Sequence, residues 1–146
     1  MVPRAVVDTC VIISGLVGRG TSNRVLMAIL KGELRLVLSA DIFDEYLRAV
    51  HYPKLKLPLA FAYAVLDELH RRAELVTPKA RFSMCRDPED DKFIEVAYEA
   101  KADCIITFDQ DLLALRDNAK EPALREHRVK ILTPAEFLRE YSIPPS

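Results

Sequence analysis

The sequence predicts one α/β domain built on a mostly parallel central sheet. Two observations carry that prediction. Short apolar runs alternate with longer amphipathic ones along the whole chain, and acidic residues stand directly after two of the apolar runs. Strands separated by helical segments are joined by crossovers, which make the strands parallel and put helices on both faces of the sheet. With 146 residues, 50% of them hydrophobic, the chain can bury one sizeable core. The domain is expected to span residues 1–141, with 142–146 as a flexible Pro-rich tail.

Arg4-Ala5-Val6-Val7-Asp8 reads as a short buried strand, and Val11 to Leu16 as the first turns of a segment broken by Gly18 and Gly20. Thr21-Ser22-Asn23 caps a helix that runs through Leu30 and is ended by Gly32. Leu34 to Leu38 is the second strand. Ser39 caps a helix from Ala40 to about Val50, which Tyr52-Pro53 terminates. Pro58 opens a helix to about Arg72 with Leu59, Ala62, Val65, Leu66 and Leu69 on one face. Glu74 to Val76 is a short strand. Asp87-Pro88 starts the next helix, Ala102 to Thr107 is the following strand, and Asp109 starts a further helix. Arg128 to Leu132 is the last strand, and Thr133-Pro134 opens a helix from Ala135 to about Tyr141. Between Leu115 and Arg128 lies a long polar connection containing Pro122, expected to be mobile.

Composition excludes several classes. Lys and Arg number 21 against 22 Asp and Glu, for a net charge of −1. That is not the basic footprint of a tight, sequence-independent nucleic-acid binder. Contacts to nucleic acid would be local, with Arg19, Arg24, Lys54, Lys56, Lys79, Arg81 and Arg86 as candidate cations, although solvated surface charge is the ordinary role of each. No apolar run approaches the roughly 20 residues of a membrane span, and no leader segment is evident, so a cytoplasmic protein is expected. Cys10, Cys85 and Cys104 show no paired spacing and read as small buried residues in a reducing compartment. His51, His70 and His127 share no ligand spacing, which disfavours zinc.

The acids form four stations: Asp8, Glu45, the Asp87-Pro88-Glu89-Asp90-Asp91 stretch, and Asp109 with Asp111. In open parallel sheets, ligands bind outside the carboxyl ends of the strands, where strand order reverses. Carboxylates gathered there repel one another unless a cation is present. Hard carboxylate oxygens suit Mg²⁺ or Mn²⁺. Asp8 follows the first strand, where capping the next turn is its competing role. Glu45 lies on the margin of the stripe formed by Ile42, Phe43, Tyr46, Leu47 and Val50. On a helical wheel, Asp90 falls within the stripe of Phe93, Ile94, Ala97 and Ala100, with Asp91 at its edge and Asp87 as a cap, which makes Asp90 the third metal ligand and leaves Asp87 and Asp91 as alternative outer ligands. Asp109 is nearer its strand than Asp111.

Five stretches in this order resemble the PIN domain family of nucleases, in particular the branch of toxin components of toxin–antitoxin pairs. They are Val7-Asp8-Thr9-Cys10-Val11-Ile12-Ile13-Ser14, Ser39 to Tyr46, Cys85 to Phe93, Ala102 to Leu113, and Leu132 to Leu138. The resemblance implies a three-layer α/β/α sandwich with a central, mostly parallel sheet. It also implies that Asp8, Glu45, Asp90 and Asp109 hold Mg²⁺ or Mn²⁺ and carry catalysis, and that Thr107 orients an acid or a water. The frame within Asp87 to Asp91 is open by one residue. Cys10 departs from the Asn or Ser that often follows the Asp-Thr pair.

The implied activity is metal-dependent hydrolysis of RNA phosphodiester bonds, by the toxin of a type II pair. Two ions about 4 Å apart can activate a water and stabilise the leaving 3′ oxygen. The implied partners are RNA, a small antitoxin protein and a second copy of the chain in a homodimer or higher homo-oligomer, with no membrane. The alternative is a catalytically inactive PIN-like binding domain acting through protein or RNA contacts, against which the four intact acidic stations argue. A receiver-like phosphoacceptor domain is a weaker rival, because it needs paired acids after the first strand and Asp8 stands alone.

Overall fold

The protein, seen in a computed structural model, is described over residues 2–18, 20–83, 85, 87–117 and 126–143. Arg19, Arg86, residues 118–125 of the expected mobile connection and residues 144–146 of the expected tail lie outside the described residues.

Five strands form one parallel sheet: β1 (Arg4–Val7), β2 (Arg35–Leu38), β3 (Glu74–Leu75), β4 (Cys104–Ile106) and β5 (Lys130–Leu132). Between and after them run α1 (Thr9–Val17), α2 (Thr21–Leu30), α3 (Ala40–Ala49), α4 (Leu59–Arg72), α5 (Asp91–Ala100), α6 (Gln110–Ala114) and α7 (Pro134–Glu140). The strand order is β3-β2-β1-β4-β5. Right-handed crossovers then place α1 to α4 on one face and α5 and α6 on the other. α7 returns to the first face against α2. This is the expected α/β/α arrangement, with every strand pair parallel.

β1 and β4 are fully buried from Ala5 to Val7 and from Cys104 to Ile106, and their neighbours on both faces are apolar. Such strands read as continuous apolar runs because helices cover them twice. The local signals explain most element boundaries. Ser39 accepts the Ile42 N–H, and Thr133 and Glu136 form a reciprocal capping box at α7. Gly32 ends α2 at φ +80°, a conformation that favours glycine. Gly15 is required for a different reason: a Cβ there would lie 2.9 Å from the Ser22 carbonyl oxygen, where α1 and α2 touch.

Three local readings are corrected. Helix α1 begins at Thr9, two residues before the expected Val11, and ends at Val17 with Gly18 as the break the sequence implies. Pro88 to Asp90 form a separate 3₁₀ turn capped by Asp87, so α5 starts at Asp91. Asp90 therefore precedes the helix, and the wheel position assigned to it belongs to no helical face: Asp91 is buried at 6% exposure, while Asp90 is only half-buried. Inside the expected tail, Ile143 is buried. Its N–H bonds to the Leu138 carbonyl and its own carbonyl accepts from Arg24, because Ser142 turns left-handed and closes α7. Arg24 is thereby given a structural partner.

Candidate active site

Strand order reverses between β1 and β4: the chain leaves β1 toward β2 and leaves β4 toward β5. Helices on opposite faces diverge there and open a crevice at the carboxyl edge. Asp8 follows β1 directly, and Asp109 follows β4 by three residues. Their strands are in register, with Val7 opposite Ile106, and the Asp8 N–H continues the ladder to the Ile106 carbonyl at 2.9 Å. The two acids are thus brought side by side by the sheet itself.

Thr107 connects them. It is fully buried, donates its hydroxyl to Asp8 Oδ2 at 2.6 Å and accepts the Asp109 N–H at 2.9 Å. Asp109 Oδ1 accepts the Asp111 N–H at 2.8 Å, so Asp109 caps α6 as well.

The third station arrives from the turn before α5. Within it, Asp87 is committed to the Glu89 N–H and Asp91 accepts the Cys85 N–H at 2.8 Å. Asp90 instead lies close enough to Asp109 and Asp8 for their charges to act on it. Glu45 comes from α3, on the other face of the sheet. One of its oxygens accepts the Thr9 hydroxyl and the other ion-pairs with Lys92. Next to it, Tyr46 is fully buried and donates its hydroxyl to the Val7 carbonyl, tying α3 to the strand end that carries Asp8.

The electrostatics are those of crowded, partly desolvated carboxylates. Burial raises the Asp8 pKa, the Thr107 hydrogen bond opposes this, and Asp109 and Glu45 push it further up. Burial, then Asp109, Asp8 and Asp87, push Asp90 up to about 7. Without a cation, the fold thus retains a proton on Asp90 near neutrality. Among the described residues, no three His, Cys, Asp or Glu side chains already close on one point. Each acid except Asp90 is turned toward a donor of the protein. The donor chemistry nevertheless fits a hard divalent cation, since all four groups are carboxylates and three repel one another for want of positive charge.

A pH dependence follows. A cation held by Asp90 would have to displace its proton below about 7, so any Mn²⁺ affinity should climb as pH rises, by roughly tenfold per unit for one linked proton, and level off above 7. The folded-state pKa lies above the usual carboxylate value of about 3.9, so Asp90's contribution to stability is present below that value and lost as pH rises through about 7. The metal-free protein should therefore melt lower at pH 8 than at pH 5.5, and Asp90→Asn should flatten the difference. Thermal melts in EDTA across that range check the point; an unchanged slope in the variant would remove Asp90 as the cause.

Two depressions flank the acids. A polar cleft of about 620 Å³ is lined by Asp41, Asp44, Arg48, Arg81, Lys92 and Glu95 among others. An apolar groove of about 850 Å³ reaches Glu45 from the α1 side, past Cys10, Ile13, Val17, Tyr52 and Leu55. Arg48, one turn beyond Glu45, lines both. Cys10 was expected to be buried and is exposed: it sits on the outward side of the first turn of α1, while Thr9 turns in toward Glu45.

Glu95, Glu99 and Lys92 escaped the sequence reading, which had singled out Asp91 only beside Asp87 and Asp90. Glu99, Glu95 and Asp91, spaced by four along one face of α5, accept the N–H groups of Lys79, Phe82 and Cys85 at 2.9, 2.9 and 2.8 Å. They hold residues 79–83 and Cys85 against the helix and bring Arg81 to Glu95. The spacing of four was a readable signal for a shared face, though not for its partner. Lys92 was passed over for the same reason.

A profile of the PIN domain family matches residues 4–111, from β1 into α6. The chain is also 35% identical over 142 residues to Uncharacterized protein MJ1680 of Methanocaldococcus jannaschii, a match covering 94% of this chain and 91% of that protein. No helix among the described residues is long and apolar enough to cross a membrane.

Proposed function

The chain belongs to the PIN domain family, a nuclease-type fold whose members are typically dependent on divalent metal, and from that premise we propose that it is a metal-dependent ribonuclease. The observation that supports the reading is that Asp8 and Asp109 stand side by side where strand order reverses, with Asp90 close enough for their charges to push its pKa up to about 7. Asp8, Asp90 and Asp109 would hold Mg²⁺ or Mn²⁺, with Glu45 beside them. When bound, such a cation supplies the Lewis acidity that turns water into a nucleophile and stabilises the leaving 3′ oxygen of a phosphodiester.

The chain's own residues do the positioning. Thr107 aims Asp8 and fixes the backbone of Asp109, and Thr9 aims Glu45. Arg48 and Arg81 border the polar cleft, where they can meet flanking phosphates. Single-stranded or looped RNA is the substrate class, because its backbone can bend into a cleft that a duplex does not enter.

A place as the toxin of a type II toxin–antitoxin pair is part of the same proposal. The order of the five sequence stretches supports it, and the apolar groove beside Glu45 is a seat for a short antitoxin segment. Association into a homodimer is supported by Leu59, Phe61 and Tyr63, apolar side chains left exposed on α4.

The test is cleavage of an end-labelled single-stranded RNA in Mn²⁺ or Mg²⁺ and in EDTA. Products should form with either metal, vanish in EDTA and return when metal is restored. Cleavage that persists in EDTA would sink the metal-dependent reading.

A further inference from the structure

Lys92 stands apart from the other lysines of the chain. Its side chain is 13% exposed, on the first turn of α5, and its ammonium ion-pairs with Glu45 of α3 and lies 3.4 Å from Glu89. Glu45 is 26% exposed, and its second oxygen accepts the Thr9 hydroxyl. Both oxygens of the one glutamate at the site are thus engaged by the protein. The three aspartates differ, because Asp8 and Asp109 repel Asp90 and no lysine or arginine is paired with any of them among the described residues.

On the reading of this site as a metal-dependent nuclease, we infer that Lys92 is a built-in second cation: it neutralises Glu45 and leaves Asp8, Asp90 and Asp109 to take a single divalent ion. An ammonium on a flexible stem is a compact point charge, suited to standing where an ion would otherwise stand. A second divalent ion on Glu45 would have to break a largely desolvated ion pair and leave Lys92 beside like charge with only the exposed Glu89 to balance it. Lys92 acts through Glu45 and is a positioning residue. The two-ion arrangement expected from the sequence is replaced by one ion and one lysine.

Calorimetric titration of the full chain with Mn²⁺, without RNA, tests this apart from nuclease activity. The wild type should bind one ion per chain. Asp109→Asn should weaken that ion about tenfold or more, and Glu45→Gln by less than about threefold. Lys92→Met should free Glu45 and raise the stoichiometry toward two, whereas Lys92→Arg should keep it at one. If Lys92→Met does not fold, the Glu45→Gln and Lys92→Arg arms still decide. Two ions on the wild type, an unchanged stoichiometry in folded Lys92→Met, or a loss in Glu45→Gln equal to that in Asp109→Asn would each overturn the inference while leaving the nuclease reading intact. No ion on the wild type would overturn the metal reading beneath it as well.

Discussion

Asp8→Asn should lower RNA cleavage by about 10³-fold or more, equivalent to ~4 kcal/mol of transition-state stabilisation, and should leave the fold intact. The asparagine carbonyl can still accept the Thr107 hydroxyl, so the local geometry persists. What disappears is a negative charge at the carboxyl end of β1, where a cation would sit. Asp8 is 5% exposed, and burial together with Asp109 and Glu45 disfavours its ionised form. Removing that charge relieves repulsion in the metal-free protein, which should melt at a higher temperature than the wild type in EDTA. Loss of function with gain of stability is the signature of a site strained for function. Single-turnover cleavage and thermal melts of both proteins check this. Activity equal to the wild type would place the chemistry elsewhere, and a lower melting temperature would show that the Asp8 charge supports the fold.

Thr107→Val should have the next largest effect. Valine keeps the β-branched shape that suits the end of β4, so the backbone has no reason to move. The hydroxyl is lost, and with it the donor to Asp8 at 2.6 Å and the acceptor for the Asp109 N–H at 2.9 Å. Groups that orient metal-binding carboxylates are worth about 10–100-fold in affinity or activity, and that is the expected loss in both Mn²⁺ affinity and cleavage. The stability cost should be about 1–3 kcal/mol, since Thr107 is fully buried and its partners lose a bond they cannot replace. Thr107→Ser retains the hydroxyl and should recover most of the activity. Denaturant unfolding and the same cleavage assay separate the two effects. A valine variant as active as the wild type would mean that the strand ends alone place the two acids.

How far the site was legible depends on where each residue's partners lie. Asp8 and Asp109 could be read directly, because each follows an apolar strand and the carboxyl ends of parallel strands share one edge. Thr107 was reached only through the order of motifs along the chain, and Glu45 through that order together with its place at the margin of the apolar stripe of its helix. The Asp87 to Asp91 stretch defeated the wheel, since Pro88 to Asp90 form a 3₁₀ turn and the helix starts at Asp91, three residues later than the Asp87-Pro88 start suggested. Asp87 and Asp91 were sorted from Asp90 by what each accepts: Glu89 and Cys85 N–H groups for the first two, and proximity to Asp109 for the third. Nothing local distinguishes Thr9 as the residue that holds Glu45, because the pair is 36 residues apart.

Element identity and sequence of elements were determined by the chain alone. Hydrophobic period, caps and breakers act within a few residues, so five strands, their helices and their parallel sense follow from short-range chemistry. Strand order, the meeting of α3 and α5 across the sheet edge, and the pairing of Lys92 with Glu45 were decided only by the tertiary structure. Those features join residues distant in sequence, and their energies depend on burial and charge fields that exist only once the sheet has assembled. The same assembly gives one carboxyl group of the chain, that of Asp90, a pKa near 7 that its sequence neighbours by themselves do not confer.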